Sequence, residues 1–173
     1  MAQSDLHPST DASPPLLREA MLVGLAGAVV VALWFLALDL SHGRPLFTPA
    51  ALGSALFLGA RGVHEVDVNA LTVLGYTAVH LVAFMAVALL AVILIRGIAY
   101  HPPAIIGAAL LLVTMEAFFI GALAALASWL LDALSLWTVL VANVLAAAAM
   151  GLVLWLRNPA LHGGLQSDLE ERQ

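Results

Sequence analysis

The chain has no cysteine and little charge. The absence of cysteine excludes disulfides, thiolate metal sites, cysteine nucleophiles and c-type haem attachment. Only 10% of the 173 residues are charged, whereas soluble domains carry about 25%. The six basic residues are all arginine and are scattered along the chain, so no basic patch favours a nucleic-acid partner.

The rest of the chain is mostly apolar, with 63% hydrophobic residues and a mean hydropathy of +1.04. A soluble fold of this length could not bury so much apolar surface. A lipid bilayer acts as a second apolar solvent and makes such a composition tolerable. We therefore expect an all-α integral membrane protein.

Four apolar runs are long enough to cross the bilayer, because about 20 helical residues span the roughly 30 Å of hydrocarbon. The short connections after the second and third runs make those helices antiparallel neighbours. The prediction is an up-down bundle of four transmembrane helices, at about 20–40, 71–95, 104–131 and 136–156. This transmembrane domain, residues 17–160, is flanked by a polar tail at 1–16 and an acidic tail at 161–173, both expected to be disordered or flexible.

A short helix is predicted between the first two spans, at about 49–60. Thr48 and Pro49 are a typical helix start, with a hydroxyl at the N-cap and proline at the first helical position. Three turns are too short to cross a membrane. The segment is therefore expected to lie at the interface or to enter the membrane and return.

The distribution of arginine predicts the orientation. Four arginines fall on the side of the termini and two on the other side, and basic residues are enriched in cytoplasmic loops. We expect a multi-pass protein of a bacterial inner membrane with both termini in the cytoplasm.

Four side chains inside the predicted spans are costly to place in lipid: Tyr76, His80, Glu116 and Asn143. With a rise of about 1.5 Å per residue, His80, Glu116 and Asn143 lie roughly 10–13 Å below the face opposite the termini. Tyr76 precedes His80 by one helical turn on the same face. The sequence therefore predicts one buried polar site shared by three helices.

Two interpretations of this site remain open. It could be a hydrogen-bonded clamp that holds the helices together, with each bond contributing about 0.6–2 kcal/mol. It could instead transfer protons or bind a polar head group such as a quinone, because ionisable residues inside a membrane commonly serve function.

A second group of polar residues lies near the face opposite the termini: Asp39, His42, His64, Glu65 and Asp67. Histidine and carboxylate can bind zinc or another divalent metal without cysteine. The spacing contains no HExxH motif. Alternatively, the five are solvated loop residues, with Asp39 paired to Arg44 or Arg61. Bis-histidine haem is disfavoured because His80 is the only mid-span histidine.

No catalytic motif for nucleotide binding or nucleophilic hydrolysis occurs in the chain. We therefore expect a non-enzymatic accessory, structural or assembly subunit of a larger membrane complex. Its partners would be the lipid bilayer and other membrane subunits or further copies of itself, with no cofactor predicted. The alternatives are a redox-, quinone- or proton-linked protein using His80 and Glu116, and a small oligomeric proton-coupled transporter.

Overall fold

The computed structural model describes residues 15–98, 121, 128–130 and 135–157, and this part of the chain is helical with no strands. Helix α1 comprises Leu16–Ser41, α2 Phe47–Gly53, α3 Ala70–Ile98 and α4 Leu136–Arg157. A π-helical turn, Ser54–Leu58, continues α2, and a 3-10 turn, Val63–Glu65, precedes α3. The all-α class is confirmed for these residues.

Helices α1, α3 and α4 are each long and apolar enough to cross a membrane. They match the first, second and fourth predicted spans, and α1 and α3 extend beyond the predicted limits at both ends. The third predicted span, 104–131, lies outside the described residues except at 121 and 128–130. Both predicted tails also lie outside them, apart from residues 15 and 16 of the first.

Helix α1 packs along both α3 and α4 and is antiparallel to each. Glu19, in its first turn, contacts Arg96 in the last turn of α3. About two turns before its other end, the Trp34 indole donates a hydrogen bond to the carbonyl oxygen of Thr138, in the first turn of α4, at 3.2 Å. Helices α3 and α4 therefore run in the same direction, and their side chains meet those of α1 in one apolar cluster.

Small residues on one face of α1 allow this packing. A β-carbon on Gly27 would lie 2.7 Å from the sulfur of Met150 on α4 and 2.8 Å from the Phe84 ring on α3. A β-carbon on Gly24 would lie 2.9 Å from the Phe84 carbonyl oxygen. Because lipid supplies no hydrophobic force between helices, close van der Waals contact of this kind drives their association.

The short helix begins one residue before Thr48, and its N-cap position is Leu46, which has a positive φ of 63°. The prediction that Thr48 is the N-cap was therefore wrong in detail. A carboxylate from α1 caps the helix instead, and it binds Thr48 inside the first turn. The expected short apolar helix is nevertheless present, over Phe47–Leu58.

Helix α2 is fixed against the start of α3. Gly53 lies so close to α3 that a β-carbon there would overlap the backbone carbonyl of Thr72. The Ser54 hydroxyl accepts a hydrogen bond from the backbone of Asp67 at 3.0 Å. Asn69 and Thr72 cap α3 reciprocally, since each side chain accepts the other's backbone N–H.

Candidate functional site

A cavity of about 190 Å³ lies between α1, α2 and α3, and we call it the α1–α3 cavity. Apolar side chains form most of its wall, among them Val31, Phe35, Leu36, Leu52 and Val73. Its polar lining consists of five side chains: Asp39, Thr48, Tyr76, Thr77 and His80. Apolar walls with a few convergent polar groups are typical of small-molecule sites.

Asp39 closes one end of the α1–α3 cavity and is 6% exposed. Its two carboxylate oxygens accept hydrogen bonds from the backbone nitrogen and the hydroxyl of Thr48, each at 2.7 Å. A carboxylate at this position also faces the positive end of the α2 dipole. The contact is thus a helix cap supplied by a different helix.

His80 and Tyr76 form the α3 side of the cavity. The Nε2 atom of His80 lies 3.2 Å from the carbonyl oxygen of Ala28 on α1. Because a carbonyl can only accept, Nε2 carries the proton in this contact. The His80 ring lies between two aromatic rings on its own helix, with centroid distances of 5.8 Å to Tyr76 and 4.8 Å to Phe84.

A smaller cavity of about 110 Å³ lies on the other side of Asp39. His42, Arg44, Phe47 and Thr138 line it, so that its surface is more polar than that of the α1–α3 cavity. The Arg44 guanidinium lies 4.3 Å from the centre of the Phe47 ring, in a cation–π contact. Asp39 and Thr48 separate the two cavities.

Tyr76 and His80 share the α1–α3 cavity, as their spacing predicts, whereas the rest of the predicted polar site is only partly visible. Asn143 is half-buried on α4, and the adjacent Ala142 packs in a cluster with Val31 and Phe84. Glu116 lies outside the described residues. The approach of His80, Glu116 and Asn143 to one another therefore stays a prediction.

The five residues considered for a metal site lie in separate contacts. Asp39 binds Thr48, and His42 Nδ1 lies 2.8 Å from the carbonyl oxygen of Leu38. Exposed His64 lies 3.5 Å from Glu65, while the Asp67 carboxylate accepts a hydrogen bond from Asn69. Across residues 15–98 and the described parts of the C-terminal half, no three histidine or acidic side chains are grouped to hold a metal ion.

An ion pair between Glu19 and Arg96 is not among the predicted sites. Glu19 Oε2 lies 2.7 Å from Arg96 Nη2, and the Glu19 side chain is 1% exposed. One signal was available: the two residues sit at the same end of adjacent antiparallel spans and carry opposite charges. The predicted second span ends at residue 95, whereas α3 continues through Arg96 to Ile98.

Comparison of the chain with protein-family models, with curated proteins and with solved structures gave no match.

Proposed function

We propose that the chain crosses the membrane four times. Helix α3 ends at the level where α1 begins, and α4 begins at the level where α1 ends. The chain between Ile98 and Leu136 has to connect these opposite levels. If helical, the predicted third span of 104–131 would extend for about 40 Å, which suffices for a bilayer core of about 30 Å.

The same geometry supports a location of both chain termini on one side of the membrane, because α1 begins and α4 ends at the level of Glu19 and Arg96. Arg18, Arg96 and Arg157 lie at that level, and Arg44 and Arg61 lie at the opposite one. The arginine excess supports a cytoplasmic location for the termini, in a bacterial inner membrane.

We propose further that the protein is a non-enzymatic subunit of a larger membrane assembly. The observation that supports this role most directly is the use of its buried polar side chains. In the part of the chain that the structure describes, these are Glu19, Asp39, Thr48, Ser54 and Thr72. Each hydrogen-bonds to another element or to the segment that begins α3. Such groups hold a scaffold together, whereas a catalytic group must meet a substrate.

One face of α4 is suited to a partner helix. Val141, Val144 and Leu152 are exposed along it. Gly151 is exposed on the same face, and a β-carbon there would meet nothing within 4 Å among the described residues. In membranes a small residue on an open face permits close approach of another helix.

Purification in a mild detergent tests the subunit role. We expect the wild-type chain to run as an assembly of fixed stoichiometry, either with another membrane protein or with copies of itself. Gly151→Leu should weaken that assembly, while Leu152→Ile, which keeps its volume on the same face, should not. A monodisperse single chain, unchanged by Gly151→Leu, would contradict the proposal.

The α1–α3 cavity favours a second candidate function. Tyr76 and His80 line it within a span, which supports a redox-, quinone- or proton-linked role, or a proton-coupled transporter. A visible absorption spectrum or an extractable quinone in the purified protein would support the redox form of this role. Proton release from vesicles that contain the purified protein would support the transport form of this role if the His80→Leu variant abolishes it.

A further inference from the structure

The hydrogen-bonding groups of the α1–α3 cavity are nearly all acceptors. The Thr48 hydroxyl already donates its proton to Asp39, and the Thr77 hydroxyl donates to the Val73 carbonyl at 2.7 Å. His80 donates from Nε2 to Ala28, so a neutral ring leaves Nδ1 as an acceptor. Each Asp39 oxygen accepts one hydrogen bond from Thr48 and keeps a further lone pair.

Tyr76 supplies the remaining donor. Its hydroxyl makes no hydrogen bond to the residues that the structure describes, and its side chain lines the cavity. A ligand that contains only acceptors, such as a quinone, would therefore find one hydroxyl donor among these lining groups. For a ligand that carries several N–H donors, the lining supplies four acceptor side chains, those of Asp39, Thr48, Thr77 and His80.

The charge of the side chains that line the cavity also favours a ligand with several N–H donors. Asp39 is the only carboxylate among the described residues that line the α1–α3 cavity, and no arginine lines it. Arg44, the nearest basic residue in the chain sequence, lines the smaller cavity beyond Asp39 and is held over Phe47. The aromatic rings of Phe35 and Tyr76 in the wall can also stabilise a cation.

From these observations we propose that the α1–α3 cavity binds a small amphiphilic amine in its ammonium form. The ammonium group donates to Asp39 and to the neighbouring acceptors, and the apolar part of the ligand lies against Phe35, Leu52 and Val73. This assignment goes beyond the subunit role, which names no ligand and is tested on a different face, and it is an alternative to a quinone in the same cavity.

The size of the cavity limits the ligand. An engineered protein cavity of about 150 Å³ binds benzene. At about 190 Å³, the α1–α3 cavity holds one ring with a short amine chain, or the head of a longer amphiphile whose tail stays in the lipid. Leu33 at its edge is 58% exposed, which provides an apolar entrance from the membrane.

Calorimetric titration of the full chain in nanodiscs tests the proposal with three probes. These are 2-phenylethylamine, the uncharged 2-phenylethanol of nearly the same shape, and duroquinone as an acceptor-only ring. We expect the amine to bind at least about tenfold more tightly than the alcohol, because only the amine forms the charged contact. Equal or tighter binding of the alcohol or of duroquinone would overturn the proposal.

Substitution of the carboxylate locates the site. Asp39→Asn keeps an acceptor for Thr48 and removes the charge, so the preference for the amine over the alcohol should fall to about twofold or less. Asp67→Asn, on an exposed loop carboxylate, is the matched control and should retain the full preference. Unchanged amine affinity in folded Asp39→Asn would exclude the site.

A measurement on the wild-type chain covers the case in which Asp39→Asn does not fold. A diazirine derivative of 2-phenylethylamine should label α1 and α3 near Phe35 and Tyr76 on irradiation. Excess 2-phenylethylamine should compete with this labelling, and 2-phenylethanol should compete at least about tenfold less well. Labelling spread over the lipid-facing sides of α3 and α4, without competition, would overturn the assignment.

Discussion

The carboxylate of Asp39 lies 2.7 Å from both the backbone nitrogen and the hydroxyl oxygen of Thr48, so that α1 caps the first turn of α2. This contact fixes the short helix over the α1–α3 cavity. It also keeps a carboxylate between that cavity and the more polar one lined by His42 and Arg44.

The Asp39–Thr48 contact predicts a specific loss of stability. Asp39→Ala removes both acceptors and leaves a buried N–H and hydroxyl short of partners, which should cost about 2–3 kcal/mol in the free energy of unfolding. Thr48→Val removes the hydroxyl and its hydrogen bond to Asp39 alone, and should cost about 1 kcal/mol. Denaturation in mixed micelles measures both values.

Asp67→Ala is the control for that series, because the Asp67 side chain bonds only to exposed Asn69 among the described residues. It should change the free energy of unfolding by less than about 0.5 kcal/mol. A loss in Asp39→Ala no larger than that in Asp67→Ala would show that Asp39 does not cap α2.

The ion pair between Glu19 and Arg96 should couple α1 to α3. Arg96→Leu removes this partner of the Glu19 carboxylate, which is 1% exposed, and should destabilise the protein by about 3 kcal/mol. In a double-mutant cycle with Glu19→Leu, the two losses should be less than additive by about 1–3 kcal/mol. Additive losses would show that the two side chains act independently.

His80 is expected to stabilise the contact between α1 and α3 modestly. His80→Leu removes the hydrogen bond to the Ala28 carbonyl and should cost about 0.6–1.7 kcal/mol, the range found for such bonds inside membranes. Tyr76→Phe keeps the ring beside His80 and removes only the hydroxyl, so its unfolding free energy should stay within about 0.5 kcal/mol of wild type. A larger loss of unfolding free energy in Tyr76→Phe than in His80→Leu would contradict the assigned contacts.

Two glycines should respond in opposite ways to alanine. In Gly53→Ala the new methyl group overlaps the Thr72 carbonyl, and α2 has to move away from α3, at a cost of about 2 kcal/mol or more. In Gly151→Ala the methyl group meets no other described residue within 4 Å, so in the separated chain the substitution should be neutral or should stabilise the helix by about 0.5–1 kcal/mol. Thermal unfolding of the two variants, compared with wild type, checks this contrast.

The sequence predicts the three long helices among the described residues well, because each is an uninterrupted apolar run bounded by polar residues. The start of α4 at Leu136 was predicted, and its end at Arg157 lies one residue beyond the predicted one. The short helix was also predicted, although its exact start was not. Asp39 lies nine positions before Thr48 on another helix, so local capping rules assign the cap to Thr48 itself.

The candidate site was predictable only in part. The one-turn spacing of Tyr76 and His80 places them on one face of a helix, and the structure brings both to the α1–α3 cavity. Asp39 was grouped with loop residues because it ends an apolar run, whereas the turn at Gly43 returns the chain over it and buries it. Such burial depends on tertiary contacts, which periodicity alone does not encode.

The most direct test of the four-span account uses the absence of cysteine, since each introduced cysteine is then the only thiol in the chain. Ser13→Cys, Ser167→Cys and His64→Cys are labelled with a membrane-impermeant maleimide in spheroplasts and in inverted vesicles. Ser13→Cys and Ser167→Cys should react only in inverted vesicles, and His64→Cys, whose native side chain is 83% exposed, only in spheroplasts. Reaction of Ser13→Cys and Ser167→Cys from opposite sides would contradict an even number of spans and the four-span account.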